Sequence, residues 1–109
     1  WHVPSDEEWT QLTDYLGGSK KAGAEMKSKN GWSKDGSGTN SSGFSGLPGG
    51  WRSGGGTFSN IGSYGYWWSS TESNTDDALL RNLGYYDGVV GRGGYSSKNK
   101  GASVRCLRD

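Results

Sequence analysis

The residues best suited to contact a ligand lie between positions 74 and 99 of the chain. This stretch combines tyrosine with asparagine, aspartate, serine and glycine, which is the composition that antibody paratopes use. Tyrosine offers a large contact area with few torsions to fix on binding, and small polar residues adapt to the partner. One of the two adjacent tyrosines, Tyr85 and Tyr86, could equally be packed in the core. The candidate ligand-binding residues are Asn74, Asp76, Asn82, Tyr85, Tyr86, Asp87, Arg92, Tyr95 and Ser96.

Catalytic chemistry has little support in the sequence. His2 is the only histidine, so a Ser-His-Asp triad would need its general base at the very start of the chain. Cys106 is the only cysteine, and no spacing of His, Cys, Asp and Glu suits a zinc site. Residues 35–40 faintly resemble a calcium loop, but they lack its series of acids, which favours a plain turn. We therefore predict no enzymatic activity, no cofactor and no metal.

Composition limits both the architecture and the partners. With 109 residues the chain is long enough for one domain with its own core. Only 29% of the residues are hydrophobic, but 13% are aromatic, and each buried ring removes roughly 150–250 Å² from water. A loop-rich domain with an aromatic core is therefore favoured over a disordered chain. The net charge of +1 argues against nucleic acid, and no apolar run approaches the roughly 20 residues that span a membrane.

Residues 62–72 are the centre of the predicted architecture. Tyr66, Trp67 and Trp68 have high strand propensity, and consecutive side chains of a strand lie on alternate faces of a sheet. A run of serine, threonine and glutamate follows and would end the strand. We predict that this strand lies in the middle of a sheet and is covered on both faces.

The first helix is predicted over residues 5–16. Ser5 and Glu8 have the spacing of a capping box, in which each side chain accepts a hydrogen bond from the other residue's backbone. Apolar residues follow at helical spacing, and a pair of glycines then ends the helix. Residues 19–30 could form a second short helix, although Gly23 weakens the pattern.

The glycine-rich residues 43–52 predict an extended segment with a tight turn. Large apolar residues recur every few positions here and just beyond. The residues predicted to enter the core from this part of the chain are Phe44, Leu47, Trp51, Phe58 and Ile61.

Three further strands are predicted near the end of the chain. Residues 78–82 and 89–95 alternate in character, and Asp87 with Gly88 between them is a turn signal that predicts a hairpin. Residues 101–109 alternate as well and predict a closing strand.

Four motifs resemble one family. They are WHVPSDEEW at residues 1–9, GFSGLPGGWR at 43–52, GYWWSSTE at 65–72 and SVRCLRD at 103–109. Together they cover essentially the whole chain and are similar to the Fibrobacter succinogenes major paralogous domain. This resemblance implies an α+β, C-type-lectin-like fold, with one or two short helices packed on small antiparallel sheets and long glycine-rich loops. The related formylglycine-generating enzymes use a pair of cysteines, so a single cysteine does not suit that chemistry.

The resemblance also implies where such a domain occurs. Members are found on secreted and surface proteins of Bacteroidetes and Fibrobacteres, so we expect an extracellular or cell-surface location. Family members usually have a Cys-Pro-x-Gly segment just before the first motif, and this chain begins at Trp1. We therefore expect residues 1–109 to be one lectin-like domain from the C-terminal part of a longer protein. Cys106 has then either lost a disulfide partner or is a small buried thiol. Arg81 and Arg92 match scaffold positions and are expected to pair with acids or carbonyls.

The same fold carries the variable proteins of diversity-generating retroelements. In those proteins, asparagine codons mutate at adenine and yield a restricted set of residues. Residues 74–99 suit that process, because nearly all the polar, glycine and tyrosine positions could arise in this way. A polar hairpin with ordinary turn residues would have a similar composition.

Three functions remain open for a domain of this kind. The first is an adhesin or receptor-binding module for a protein or glycan on another cell or surface, without nucleic acid as a partner and without membrane insertion. The second is a carbohydrate-binding accessory module, with Trp32 and Trp51 as stacking platforms if they are exposed. The third is a structural repeat without a ligand.

Overall fold

A computed structural model describes the backbone of residues 1–109 and every side chain except those of residues 94 and 95. The helices come first in the chain and the antiparallel strands follow from residue 51 onwards, which confirms the α+β class. The elements are α1 (Asp6–Tyr15), α2 (Ala22–Met26), a 3-10 turn (Ser33–Asp35), β1 (Trp51–Arg52), β2 (Phe58–Ser59), β3 (Tyr64–Glu72), β4 (Asp77–Gly84) and β5 (Val90–Ser97). No described helix combines the length and the apolar composition that crossing a bilayer takes.

Helix α1 confirms the predicted capping box. The Ser5 hydroxyl accepts from the Glu8 backbone N–H (3.2 Å), and the Glu8 carboxylate accepts from the Ser5 backbone N–H (2.8 Å). Beyond the helix, Gly17 and Gly18 have φ of +99° and +107°, which residues with a Cβ rarely adopt. The prediction over residues 5–16 is therefore correct to within one residue at each end.

Helix α2 is shorter than the predicted range, and its glycine has a structural role. The Gly23 backbone N–H donates to the Gly88 carbonyl at 2.8 Å. A Cβ at Gly23 would lie 2.7 Å from that carbonyl oxygen, which is closer than van der Waals contact allows. Glycine is thus required at this position because the helix touches the backbone of the loop between β4 and β5.

The main sheet has the strand order β3-β4-β5, and all its pairs are antiparallel. The predicted hairpin of residues 78–82 and 89–95 is confirmed by the pairing of β4 with β5. The prediction that residues 62–72 form the middle strand is wrong, because β4 pairs with both neighbours and β3 lies at an edge. Outside this edge, β3 has only single bridges, from Gly65 to Gly50 and from Trp67 to Ser103, among the described pairings.

The closing strand predicted over residues 101–109 is also wrong. This segment makes single bridges at Gly101, Ser103 and Leu107, and each has a different partner segment: Arg52, Trp67 and His2. The segment passes from one partner to the next, so no continuous ladder forms.

The core lies between the helices and one face of the main sheet. Phe44 packs edge to face against both Trp9 and Trp67, with ring centroids 5.8 Å and 5.4 Å apart. The prediction that Phe44 enters the core is therefore confirmed. The fully buried cluster consists of Trp9, Ala22, Met26, Trp32, Trp67, Leu83 and Val90.

Three other core predictions are wrong. Leu47, Phe58 and Ile61 are 61%, 69% and 71% exposed. The segment that contains them docks through its backbone: the Gly50 N–H donates to a β3 carbonyl at 2.8 Å. A Cβ at Gly65 would lie 2.6 Å from the Leu47 carbonyl oxygen, so glycine permits this close approach. The apolar side chains of the segment are consequently left on its outer side.

Candidate functional site

The two faces of the main sheet differ in what covers them. Alternate rows of paired residues project to opposite faces. Each row consists of residues that pair across the three strands. Two rows face α1: one contains Trp67, Arg81 and Arg92, and the other contains the buried residues Leu83 and Val90. The rows between them project away from the helix. We call this second surface the open face, and its described residues are Tyr64, Tyr66, Trp68, Leu80, Asn82, Gly91, Gly93 and Ser96.

A groove of about 330 Å³ crosses the open face. Trp51, Tyr66 and Trp68 line it with aromatic rings, and all three side chains are half-buried. The polar lining consists of Asn60, Asn82, Ser96 and Lys100. Gly93 also lines the groove, and the absence of a side chain leaves the space above Leu80 open. A Cβ at position 93 would lie only 3.1 Å from Leu80 Cδ1. The arrangement can hold a small ligand between ring faces and hydrogen-bonding groups.

The position of Lys100 makes the groove electrostatically asymmetric. Its Nζ lies 4.9 Å from the centroid of the Trp51 ring, within the range of a cation–π contact. Lys100 is the one charged side chain among the described residues that line the groove. The described lining therefore carries positive charge without a carboxylate to balance it.

A cluster of tyrosines continues the open face towards the loop between β4 and β5. Tyr64 and Tyr66 stack with centroids 6.0 Å apart, and Tyr86 meets the Tyr64 ring edge to face at 6.0 Å. Burial raises the pKa of the Tyr64 hydroxyl, and neighbouring Tyr86 raises it further. Tyr85 packs against the core cluster, so core packing claims one member of the adjacent pair, while Tyr86 is exposed.

The structure brings three of the predicted ligand-binding residues to this surface. Asn82 and Ser96 line the groove, and Tyr86 joins it through the tyrosine cluster. Asp87 lies in the loop beyond, where its carboxylate accepts from the Val89 backbone N–H at 3.0 Å. That hydrogen bond gives Asp87 a role in the turn.

The other predicted residues lie elsewhere. Asn74 and Asp76 occupy the turn between β3 and β4, just beyond the pair of Ala78 with Ser96, and neither residue lines the groove. The Asn74 amide oxygen accepts from the Asp76 and Asp77 backbone N–H groups at 2.9 Å each, so this residue shapes the turn. Arg92 lies on the opposite face of the sheet. The side chain of Tyr95 is outside the described residues.

The sequence does not indicate several of the groove residues as ligand contacts. The sequence predicts Tyr66 and Trp68 as strand residues without a binding role, although it also shows that they alternate with Trp67 and so share the opposite face. Trp51, predicted to enter the core or to serve as a stacking platform if exposed, lies outside the core cluster and is partly exposed at the groove. Trp32, the second platform considered, is buried and donates from Nε1 to the Gly46 carbonyl at 3.1 Å. It is part of the core.

The helix and the sheet are joined by one carboxylate. Asp6 accepts from Arg81 Nη2 at 2.8 Å and from Arg92 Nη2 at 2.9 Å, which confirms that both arginines pair with an acid. The hydrogen bond from Arg92, together with the bond and charge of Arg81, lowers the pKa of the Asp6 carboxyl. Arg81 is buried, whereas Arg92 is about half-exposed. The described residues contain no group of three or more His, Cys, Asp or Glu side chains placed to hold a metal ion.

The two ends of the chain meet beside α1. The His2 imidazole contacts Asp109 Oδ1 through Nδ1 at 2.8 Å and Glu8 Oε1 through Nε2 at 2.9 Å. Two hydrogen bonds raise the pKa of His2, and the bond to Asp109 contributes more than the bond to Glu8. Cys106 nearby is exposed, so the expectation of a buried thiol is wrong. Loss of a disulfide partner stays a prediction.

Stability should decrease as the pH rises above about 6.5, the unfolded pKa of histidine. The folded chain has the higher His2 pKa, so the stabilisation is complete below the unfolded value of about 6.5 and is lost above the folded value. Urea denaturation at several pH values would measure the change in midpoint. His2→Gln should remove most of this dependence. An equal slope in wild type and variant would contradict the assignment.

Comparison with known proteins gives one positive result. The model of the family described as Fibrobacter succinogenes major domain matches residues 1–108. The match spans nearly the whole chain, and the chain therefore belongs to this family. Neither the comparison with curated proteins nor that with solved structures gave a match.

Proposed function

We propose that this member of the Fibrobacter succinogenes major domain family is a non-enzymatic ligand-binding module of a bacterial or phage surface protein. It acts outside the cell as an adhesin or receptor-binding domain, and its ligand is a protein or glycan on another cell or surface. The observation that carries the proposal is the groove on the open face, where Trp51, Tyr66 and Trp68 converge with Asn82 and other polar groups.

The character of the groove supports binding over catalysis. Its volume of about 330 Å³ is near the lower end of ligand pockets, which are roughly 300–1,000 Å³. The described lining combines ring faces with amide and hydroxyl groups, the mixture that gives contact area and orientation to a bound molecule. The same lining holds no carboxylate, imidazole or thiol that could serve as a general base or nucleophile.

We extend the proposal to the C-type-lectin-like branch and to diversification by a retroelement. Asn82, Tyr86, Gly91, Gly93 and Ser96 are all residues that an asparagine codon yields by changes at adenine. They come from two strands and a loop, yet they lie on or beside the open face. Nucleotide sequences of codons 60–109 from many clones of one population test this extension. Changes confined to adenine positions in codons 74–99 would support it, and an invariant stretch would reject it.

A carbohydrate-binding accessory module is the second candidate function. It is favoured by the two indole rings of Trp51 and Trp68 in one groove, because flat apolar ring faces suit the C–H faces of sugars. A structural repeat without a ligand would leave such half-exposed rings without a function.

A binding panel with paired variants tests the proposal. The purified domain is applied to arrayed polysaccharides, bacterial cells and host-cell surfaces. Trp68→Ala should reduce the strongest binding at least about tenfold, as truncation of aromatic contact residues does. Tyr15→Ala removes an exposed ring on α1, outside the groove, and should leave binding unchanged. Equal binding by both variants, each checked for folding by circular dichroism, would reject the open face as the binding surface.

A further inference from the structure

We infer that the groove on the open face binds an acidic saccharide, a glycan whose sugar ring carries a carboxylate. This inference rests on the proposed function, because it names the ligand class for the same surface. Three features carry it: the aromatic rings that line the groove, the polar groups among them and the lysine at one side.

The aromatic lining suits a sugar ring. Trp51 precedes the main sheet in sequence and Trp68 lies within β3, and the fold brings both rings to one groove together with Tyr66. The face of an aromatic ring carries partial negative charge, and the axial C–H groups of a pyranose are weakly positive. A sugar ring can therefore lie against an indole while its hydroxyls point sideways to polar partners.

The polar lining can receive those hydroxyls. Asn60 and Asn82 each offer an amide oxygen as acceptor and an NH₂ group as donor, and Ser96 offers a hydroxyl that does both. The Asn60 NH₂ donates to the Tyr66 hydroxyl at 3.3 Å, a long bond that orients the amide at the edge of the groove. Sugars present vicinal hydroxyls, which suit such paired donors and acceptors.

The charge of Lys100 selects the acidic class. Its ammonium lies over the face of the Trp51 ring, 4.9 Å from the centroid. A sugar stacked on Trp68 in the same groove would have this ammonium as its charged neighbour. The described lining offers no carboxylate that would neutralise Lys100 within the groove. A sugar carboxylate would form a charge-assisted hydrogen bond in a partly desolvated place, where such bonds are stronger than in water.

An acidic peptide is less well matched to the same groove. An extended peptide gains affinity from a row of backbone donors and acceptors at a free strand edge. The groove instead crosses the face of the sheet and presents rings and side-chain amides. An acidic peptide is therefore treated as an outcome that the experiment must be able to reveal.

Matched pairs of probes and variants test the inference by titration calorimetry. Three kinds of short oligomer serve as probes: galacturonate, mixed guluronate and mannuronate, and glucuronate. Each acid oligomer is compared with its neutral methyl ester. At least one acid oligomer should bind about tenfold or more tightly than its ester, which is the range for hydrogen bonds to charged groups. Lys100→Met should lower the acid's affinity to that of the ester. Lys29→Met, on an exposed residue outside the groove lining, is the control and should bind like wild type.

Each contrary outcome has a distinct meaning. Equal affinity for acid and ester, or no effect of Lys100→Met, overturns the acidic class. Tighter binding of short poly-glutamate than of every uronate overturns the saccharide. If no oligomer binds while Trp68→Ala still abolishes binding to cells, the inference fails and the proposed function stands. If no oligomer binds and Trp68→Ala also leaves cell binding intact, both fail.

Discussion

Replacement of Trp67 by alanine is expected to lower the free energy of unfolding by about 4 kcal/mol, the usual range for a large buried aromatic. Trp67 is 4% exposed and lies against Phe44, which in turn packs on Trp9. The substitution therefore opens a cavity at the contact between β3 and the helical half. Small domains are stable by only about 5–15 kcal/mol, so much of the total is lost. Urea denaturation followed by circular dichroism measures the change.

Trp68→Ala is the matched control for this prediction. The two residues are adjacent and chemically identical, but Trp68 is only half-buried, on the open face of the sheet. We expect it to cost about 1 kcal/mol, a typical value for a partly exposed site. The neighbours should thus have opposite phenotypes, with Trp67 affecting stability and Trp68 affecting binding. Similar losses of stability would contradict the assignment of the two faces.

Replacement of Asp6 by alanine is expected to lower the free energy of unfolding by about 3 kcal/mol, the lower end of the cost of breaking a buried ion pair. The change leaves the buried Arg81 guanidinium without its carboxylate. Arg81 keeps its contacts with the Asp6 backbone carbonyl at 3.1 Å and the Thr10 hydroxyl at 3.0 Å, which limits the loss. Denaturation at pH 7 measures it.

Two comparisons isolate the role of the Asp6 charge. Arg92→Gln removes the half-exposed partner and should lower the stability far less than Asp6→Ala does, because exposed ion pairs contribute little. Because the folded pKa of Asp6 is lowered, its stabilisation is present above the unfolded value of about 3.9 and is lost as the pH falls below it. Asp6→Asn should flatten that part of the pH profile. An Arg92→Gln variant as unstable as Asp6→Ala would contradict this account.

Local signals in the sequence predicted the helices and the hairpin well. The capping box at Ser5 and Glu8 involves residues three apart, and the turn at Asp87 joins neighbouring strands. The errors came where the fold depends on distant residues. The pairing of β4 with both neighbours, which places residues 62–72 at an edge, is set by contacts across the sheet. Backbone docking of the segment around Leu47 depends on Gly65, eighteen positions later. The local apolar pattern therefore predicted core positions for side chains that are in fact exposed.

The candidate site was predicted only in part, for the same reason. Composition alone indicated Asn82, Tyr86 and Ser96, because paratope-like residues are concentrated in that stretch. The groove also needs Trp51 from an early segment and Lys100 from a late one. Nothing local to either residue indicates that they meet. Arginine is a common contact residue, which favoured Arg92 as a ligand contact. Its position in β5 instead places its side chain on the face towards α1, where it pairs with Asp6.

The most direct test of the open face as the binding surface uses the tryptophans as reporters. The chain has six, each with one indole N–H signal in a ¹H–¹⁵N spectrum. The domain is titrated with the strongest-binding member of the panel, and single Trp→Phe variants assign the signals. We predict that the Trp51 and Trp68 signals shift on binding and that those of the buried Trp9, Trp32 and Trp67 do not. Saturation with the Trp51 and Trp68 signals unmoved would show that the ligand binds elsewhere and would contradict the central claim.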